Sequence, residues 1–317
     1  MRPSSPRGTD DVTPVPSRLD RAPTRVVSSR TSLAQHLRDI WTYRELLRGL
    51  VRKELQVKYK NSVVGVGWSM VNPAMTLGVY YFVFQIVLKN GIPGFAVYLL
   101  CGLLVWNLFS TALPSATGAV VGNAAIVKKV AFPREILALA SVGASLQFFF
   151  YQAVVMVLAL VVFRFVPSLS YLPLLAPALL ALLMLTAALG IFLAAMNVYF
   201  RDIQHLLEVV MTAWFWATPI VYTYRNIADR LGSHAWVFRL NPITPIVLTF
   251  QRALYNRISP LSTTAKTAKD VVNILPAHVG RFWYLSQLLG VMGVSVALFL
   301  GAVAVFARVE GNFAEEL

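Results

Sequence analysis

Six stretches of this chain contain no Asp, Glu, Lys, Arg or His: 61–88, 90–127, 136–163, 165–200, 209–224 and 282–307. Five of them exceed the roughly 20 apolar residues that cross a hydrocarbon core of about 30 Å. Backbone in lipid must satisfy its own hydrogen bonds, and a helix does so within one segment. The expected class is therefore an all-α membrane protein with six transmembrane helices, at about 62–88, 95–118, 136–163, 171–198, 206–224 and 282–307. Composition agrees, with 57% hydrophobic and 13% charged residues. Pro73 should kink the first helix. Pro114, Gly118 and Gly122 should end the second and leave a tail on it.

The charges lie between these runs. Residues 1–32 read as a disordered basic cytoplasmic arm, in which Pro3, Pro6, Pro14, Pro16 and Pro23 sit among six arginines. No apolar core marks a signal peptide there. Residues 33–60 read as an amphipathic helix too polar to span. Leu37, Ile40, Trp41, Leu47, Val51 and Leu55 recur at helical spacing opposite Arg38, Arg44, Arg48, Arg52 and Lys58. Such a helix is expected in the interface plane, with its apolar face in lipid.

Lys and Arg counts favour a cytoplasmic N-terminus, with 18 on that side against 10 on the other. A six-helix domain over 61–307 then has a cytoplasmic tail at 308–317 and a long external segment at 225–281. Residues 241–258 within that segment are largely apolar but too short to cross, and short re-entrant helices are expected there.

Catalytic signatures are missing. Cys101 is the one cysteine, so no disulfide or cysteine metal site forms within the chain. There is no GxxxxGK[ST] phosphate loop, no HExxH and no GxSxG. The net charge of +14 has no basic–aromatic module beside it, so nucleic acid is not an expected partner. Ion-driven transport needs ionisable groups inside the membrane, and the runs lack them. If the chain moves a solute actively, another subunit supplies the energy. A receiver for it is visible at 123–135, where Asn123 is expected to cap a short helix that Pro133 ends. Lys128, Lys129, Phe132, Arg134 and Glu135 make this a basic and apolar knob. A second polar joint, Tyr199-Phe200-Arg201-Asp202, is expected to stabilise inner helix ends. Both also fit ordinary positive-inside loops.

Taken together, four segments resemble the membrane subunits of type-two ABC exporters, above all those of bacterial polysaccharide export. They are LVRKELQVKYKNSVVGVGWSMVNP (50–73), NAAIVKKVAFPREIL (123–137), YFRDIQHLLEVVMTAWFWATPIVY (199–222) and LNPITPIVLTFQRALY (240–255). The similarity runs from about residue 33 to 307. Val64-Gly65-Val66-Gly67 departs from the family pattern, which more often has Leu-Gly and a larger residue before the Trp.

The resemblance implies a multi-pass protein of the bacterial inner membrane, a homodimer bound to two copies of a separate ABC ATPase. ATP and magnesium belong to that partner, and this chain carries no cofactor. Residues 123–135 become the coupling helix. The 33–60 helix becomes an interfacial gate through Trp41, Arg44, Arg48, Arg52 and Lys58, and 225–281 a periplasmic gate. The expected cargo is a lipid-linked glycan such as an O-antigen, a teichoic acid or, in cell-wall biogenesis, a galactan.

Sugar faces stack on aromatic rings while hydroxyls bond to Tyr and Trp tips. Channel-lining candidates are therefore Trp68, Tyr80, Tyr81, Trp106, Phe148, Phe149, Tyr151, Trp214, Trp216, Tyr222 and Tyr224, of which about half are expected to face a path. Small residues such as Gly190 and Ala194 are expected to serve packing within the bundle. Competing functions are a permease for a drug or small lipid, an ion-driven flippase, and a non-transporting scaffold for wall synthesis.

Overall fold

A computed structural model of the chain describes residues 38, 41–59, 65–89, 92–130, 132–224, 237–256, 275 and 279–309. Among these residues all regular structure is helical. Arg44–Tyr59 is α1, Trp68–Tyr80 α2, Phe95–Gly122 α3, Ala124–Val127 α4 and Glu135–Val162 α5. Leu175–Tyr199 is α6, Ile203–Trp216 α7, Val237–Leu240 α8, Ile243–Phe250 α9 and Arg281–Val309 α10. The basic arm, residues 33–37, most of 225–281 and the tail lie outside the described residues.

Among the described residues, four helices are long and apolar enough to cross a membrane: Phe95–Gly122, Glu135–Val162, Leu172–Tyr199 and Arg281–Arg308. The expected first and fifth spans fall short of that mark. α2 passes through Pro73 and gives way after Tyr80 to wider π-helical turns over Tyr81–Val87. α7 has 14 residues, about 21 Å at 1.5 Å per residue. It stops at Trp216 because Pro219 cannot donate to a helical ladder, and Thr218 turns the chain with its hydroxyl on the Trp214 carbonyl (2.8 Å).

α3 is the centre of the bundle, with 83% of its most apolar window buried against 28% for α5 and for α10. It packs on α5 and α6, and α10 packs along α6. Of Pro114, Gly118 and Gly122, expected together to end this span, α3 runs through the first two and ends at Gly122. Neighbours on several sides hold the helix through its one missing hydrogen bond. Gly190 of α6 lies against α3, where an added Cβ would come within 2.8 Å of the Ala116 Cβ. Ala194 is fully buried, and small residues here bring helix backbones together.

Backbone devices set the ends. Gly94, at φ 62°, precedes α3, and a Cβ there would strike the Phe165 ring. Only glycine satisfies both demands without strain. α5 closes in a Schellman turn, with Arg164 left-handed at φ 54°, Phe165 N–H on the Leu160 carbonyl (2.9 Å) and Arg164 N–H on that of Val161 (3.2 Å).

α1 lies along α5. Leu50 is buried, and Leu47 and Val51 pack on the cluster of Ala112, Ala116, Val127, Phe132 and Ile136. The apolar face expected to meet lipid is thus partly taken by α5, and Gly143 of α5 leaves room for Val51. Trp41, by contrast, is 72% exposed.

Candidate functional site

Residues 123–135, the expected coupling segment, are built into the bundle at one end. Asn123 ends α3: its Nδ2 donates to the Ala119 carbonyl (2.8 Å), and its own carbonyl accepts from Ile126 N–H (2.9 Å) and Val127 N–H (3.1 Å). Its side chain therefore does not cap the short helix as expected, and the backbone carbonyl does that work. α4 has four residues and ends at Val127, well before Pro133. Pro133 instead opens α5, its carbonyl accepting from Ile136 N–H (3.2 Å), while Arg134 accepts from Leu137 N–H (3.1 Å).

Val127 and Phe132 are buried in the interior cluster, and Lys128 and Lys129 are exposed. The knob is therefore apolar inward and basic outward, with Arg134 half-buried at its edge. Glu135 sits deeper than its neighbour Arg134. It is fully buried in the first turn of α5, where a carboxylate favours the helix N-terminus and Arg134 lies close enough to interact.

α1 is fastened to this end. Lys53 Nζ donates to Asn123 Oδ1 (3.2 Å), and Ser141 Oγ donates to Glu54 Oε1 (2.7 Å). Lys58 Nζ stands 4.0 Å from the centroid of the Phe148 ring. Burial raises the Glu54 carboxyl above its ordinary value, opposed by the Ser141 hydrogen bond and the Lys53 and Lys58 charges. Burial lowers the Lys58 ammonium, opposed by Glu54. Arg44, Arg48 and Arg52 stay exposed. Arg48 reaches Glu45 at 2.6 Å and Arg44 at 3.9 Å, surface pairs that contribute little. Neither Lys53 nor Glu54 was a sequence candidate. Their partners lie 70 and 87 residues away, a separation that helical periodicity cannot read.

A groove of about 310 Å³ opens between α2, α3 and α7. Tyr80, Trp106, Phe215 and Trp216 supply rings, and Thr76, Asn107, Ser110 and Thr212 supply polar atoms. Phe215 stacks on Tyr80 (6.0 Å, 14°) and meets Trp106 edge-on (5.4 Å). Asn107 Nδ2 donates to Gln152 Oε1 of α5 (3.2 Å). Polar side chains gathered on one apolar bundle face give the groove water or hydroxyl partners that lipid cannot.

Three of the eleven aromatic candidates, Tyr80, Trp106 and Trp216, line this groove. Trp68 and Tyr81 are exposed elsewhere on the first helical run. Trp214 meets Phe109 edge-on at 5.1 Å and donates from Nε1 to Asn241. Phe148 is buried under Lys58, with Tyr151 at 6.3 Å, and Phe149 packs on Phe250. Tyr222 donates from its hydroxyl to the Trp216 carbonyl, and Tyr224 is half-buried beyond it. Phe215 escaped the sequence reading because facing depends on which helices become neighbours.

At the opposite end every residue of α9 is buried, against α3 and α6. Asn241 joins this segment to α7. Its Oδ1 accepts from Trp214 Nε1 (2.8 Å) and Ile243 N–H (3.0 Å), and its Nδ2 donates to the Ala217 carbonyl (3.2 Å) and Thr218 Oγ1 (3.0 Å). Gln251 Nε2 donates to the Pro219 carbonyl (3.1 Å), and the Tyr255 hydroxyl to that of Pro93 (2.6 Å).

Residues 45–255 match the family described as ABC-2 type transporter. The O-antigen export system permease protein RfbA of Myxococcus xanthus is 30% identical over 252 residues, 80% of this chain and 94% of that protein. A protein of the same description from Klebsiella pneumoniae is 30% identical over 215 residues, 67% of this chain and 81% of its own length.

Proposed function

The chain belongs to the ABC-2 type transporter family, and from that premise we propose that it is the transmembrane subunit of a polysaccharide exporter. In this reading it is a multi-pass permease of the bacterial inner membrane with both termini cytoplasmic. α2 and α7, each short by itself, complete six crossings with the four long helices. Two copies assemble with two copies of an ABC ATPase, which binds ATP and magnesium. The cargo is a glycan on a lipid carrier. The relatives described as O-antigen export permeases support this cargo class.

The observation that most favours the reading is the joining of α1, the coupling segment and α5 into one block through Lys53–Asn123, Glu54–Ser141 and the buried Val127 and Phe132. Close-packed interiors transmit displacement instead of absorbing it. A push on the basic face of 128–134 would therefore move α3, α5 and α1 together, and with them one wall of the aromatic groove. Exposed Arg44, Arg48 and Arg52 on α1 then present cations to the carrier's phosphates at the moment the gate moves. Rings of the groove offer stacking faces, and Asn107, Ser110, Thr76 and Thr212 offer hydroxyl partners, without a fixed charge that would arrest a long polymer. The Asn241 clasp ties the far end of α7 to α9, so movement of α7 reaches the outer gate.

The test is charge reversal at the docking face. Lys128→Glu with Arg134→Glu should leave ATP hydrolysis by the assembled complex at its basal rate and abolish export. Full export by the double variant would remove the docking assignment.

A further inference from the structure

The groove between α2, α3 and α7 has a charge pattern that the export reading leaves unused. None of the residues lining it is charged. Its polar partners are the hydroxyls of Thr76, Ser110 and Thr212 and the amide of Asn107, which its bond to Gln152 holds in place (3.2 Å). The three helices contain no lysine or arginine, and Glu208 is their one carboxylate. Glu208 borders the groove. Thr212 Oγ1 donates to the Glu208 carbonyl (3.1 Å), and residues four apart lie one above the other on a helix face. The Glu208 side chain is exposed, one turn from the groove toward the start of α7. That is the end of the bundle holding residues 123–135, because Gln204 of α7 lies against Gly118 of α3. Arg201 and Asp202, just outside α7, offset each other in charge.

Uncharged sugar rings find what they need on these walls. Their CH-rich faces stack on Tyr80, Trp106 and Trp216, and their hydroxyls both donate and accept, as do those of Ser and Thr and the Asn amide. An anionic ring finds no cation. Lys58 is engaged elsewhere, over the Phe148 ring of α5. Taking a carboxylate or phosphate into an apolar bundle without a charged partner is strongly disfavoured. In a polymer that penalty recurs with every anionic unit. Glu208 adds like-charge repulsion at the entrance. The carrier's own diphosphate is met once per polymer and has the exposed arginines of α1 as partners.

We propose that the groove, with Glu208 at its entrance, admits uncharged sugar rings and excludes anionic ones. The cargo is then a neutral glycan and not a phosphate- or uronate-bearing polymer, an assignment that rests on the export reading.

The complex with its ATPase, in phosphatidylcholine nanodiscs, is dialysed to equilibrium against two radiolabelled probes of one backbone, hexagalacturonate and its methyl ester. The ester removes the charges and keeps the rings. Trp216→Ala takes away a stacking face and so defines the share of binding that depends on the groove. That control is needed because a net charge of +14 attracts polyanions elsewhere on the chain. For the groove-dependent share, the ester is expected to bind about tenfold tighter than the acid. Glu208→Gln should strengthen acid binding about threefold and shift the ester much less. Glu208 is exposed, so this variant leaves the packing of α7 in place. Groove-dependent binding of the acid as tight as that of the ester would overturn the proposal. So would an acid affinity unchanged in Glu208→Gln, or no groove-dependent binding of the ester. These measurements use neither ATP nor export. Loss of surface polymer on depletion of this protein would leave the export reading standing in each of those cases.

Discussion

Asn241 joins α7 to α9 with a single side chain and four hydrogen bonds. Alanine there strands Trp214 Nε1 and the Ile243 N–H, a cost of about 2–3 kcal/mol. Asn241→Ala should lower the thermal unfolding midpoint of the purified complex by several degrees, and an unchanged midpoint would contradict the clasp. Glu54 makes a pH-dependent contribution. Its carboxyl is raised in the fold, so the folded state holds the proton more tightly than the unfolded one. That contribution is complete below the ordinary carboxyl value of 4.5 and is lost as pH rises through the raised value. Amide exchange over 44–59, corrected for intrinsic rate, should therefore speed up across that window. Glu54→Gln, which keeps an acceptor for Ser141, should flatten the response, and an equally steep response in the variant would exclude Glu54 as its source. Lys58 acts in a separate window below 10.5, where its lowered value adds stability as pH rises. The sequence displays these side chains but not their partners. Glu135 shows the limit best, since the sequence places it in a basic and apolar knob, and its burial follows from where α5 begins.

Elements were more legible than contacts. Long charge-free runs locate α3, α5, α6 and α10 to within a few residues, because length and hydropathy alone decide such helices. Their ends are harder. Pro114, Gly118 and Gly122 were read together as the end of the second span, and packing on several sides carries α3 through Pro114 to Gly122, whereas Pro219 does stop α7 and shortens the expected fifth span. α1 shows periodicity without its destination: the apolar stripe is visible, but its docking on α5 depends on Gly143. A Cβ at that position would come within 2.9 Å of Val51. Gly143→Leu should displace α1, raising amide exchange over 44–59 at least tenfold while leaving α3 and α6 protected. Export should fall with it, and hydrolysis should continue. Unchanged exchange over 44–59 would contradict the docking of α1 on α5.

In the whole molecule, a bundle without charge in its central spans is divided between two polar ends. One end gathers α1, α4 and the first turn of α5 around a basic outer face. The other gathers α9, the α5–α6 connection and the start of α10 around Arg252. The aromatic groove lies on α2, α3 and α7 between them. The long charge-free runs were readable from the sequence, because they follow from residue type. The groove itself was not, because it forms only where α2 and α7 flank α3. The account turns on export of a lipid-linked polymer, and depletion of this protein in the cell that makes it tests that claim most directly. Cells are labelled with radioactive sugar, and carrier-linked polymer is assayed before and after opening them, for attack by periodate. The expected result is accumulation of full-length, carrier-linked glycan that periodate reaches only in opened cells, with surface polymer falling in parallel. Undiminished surface polymer and no internal accumulation would contradict the account.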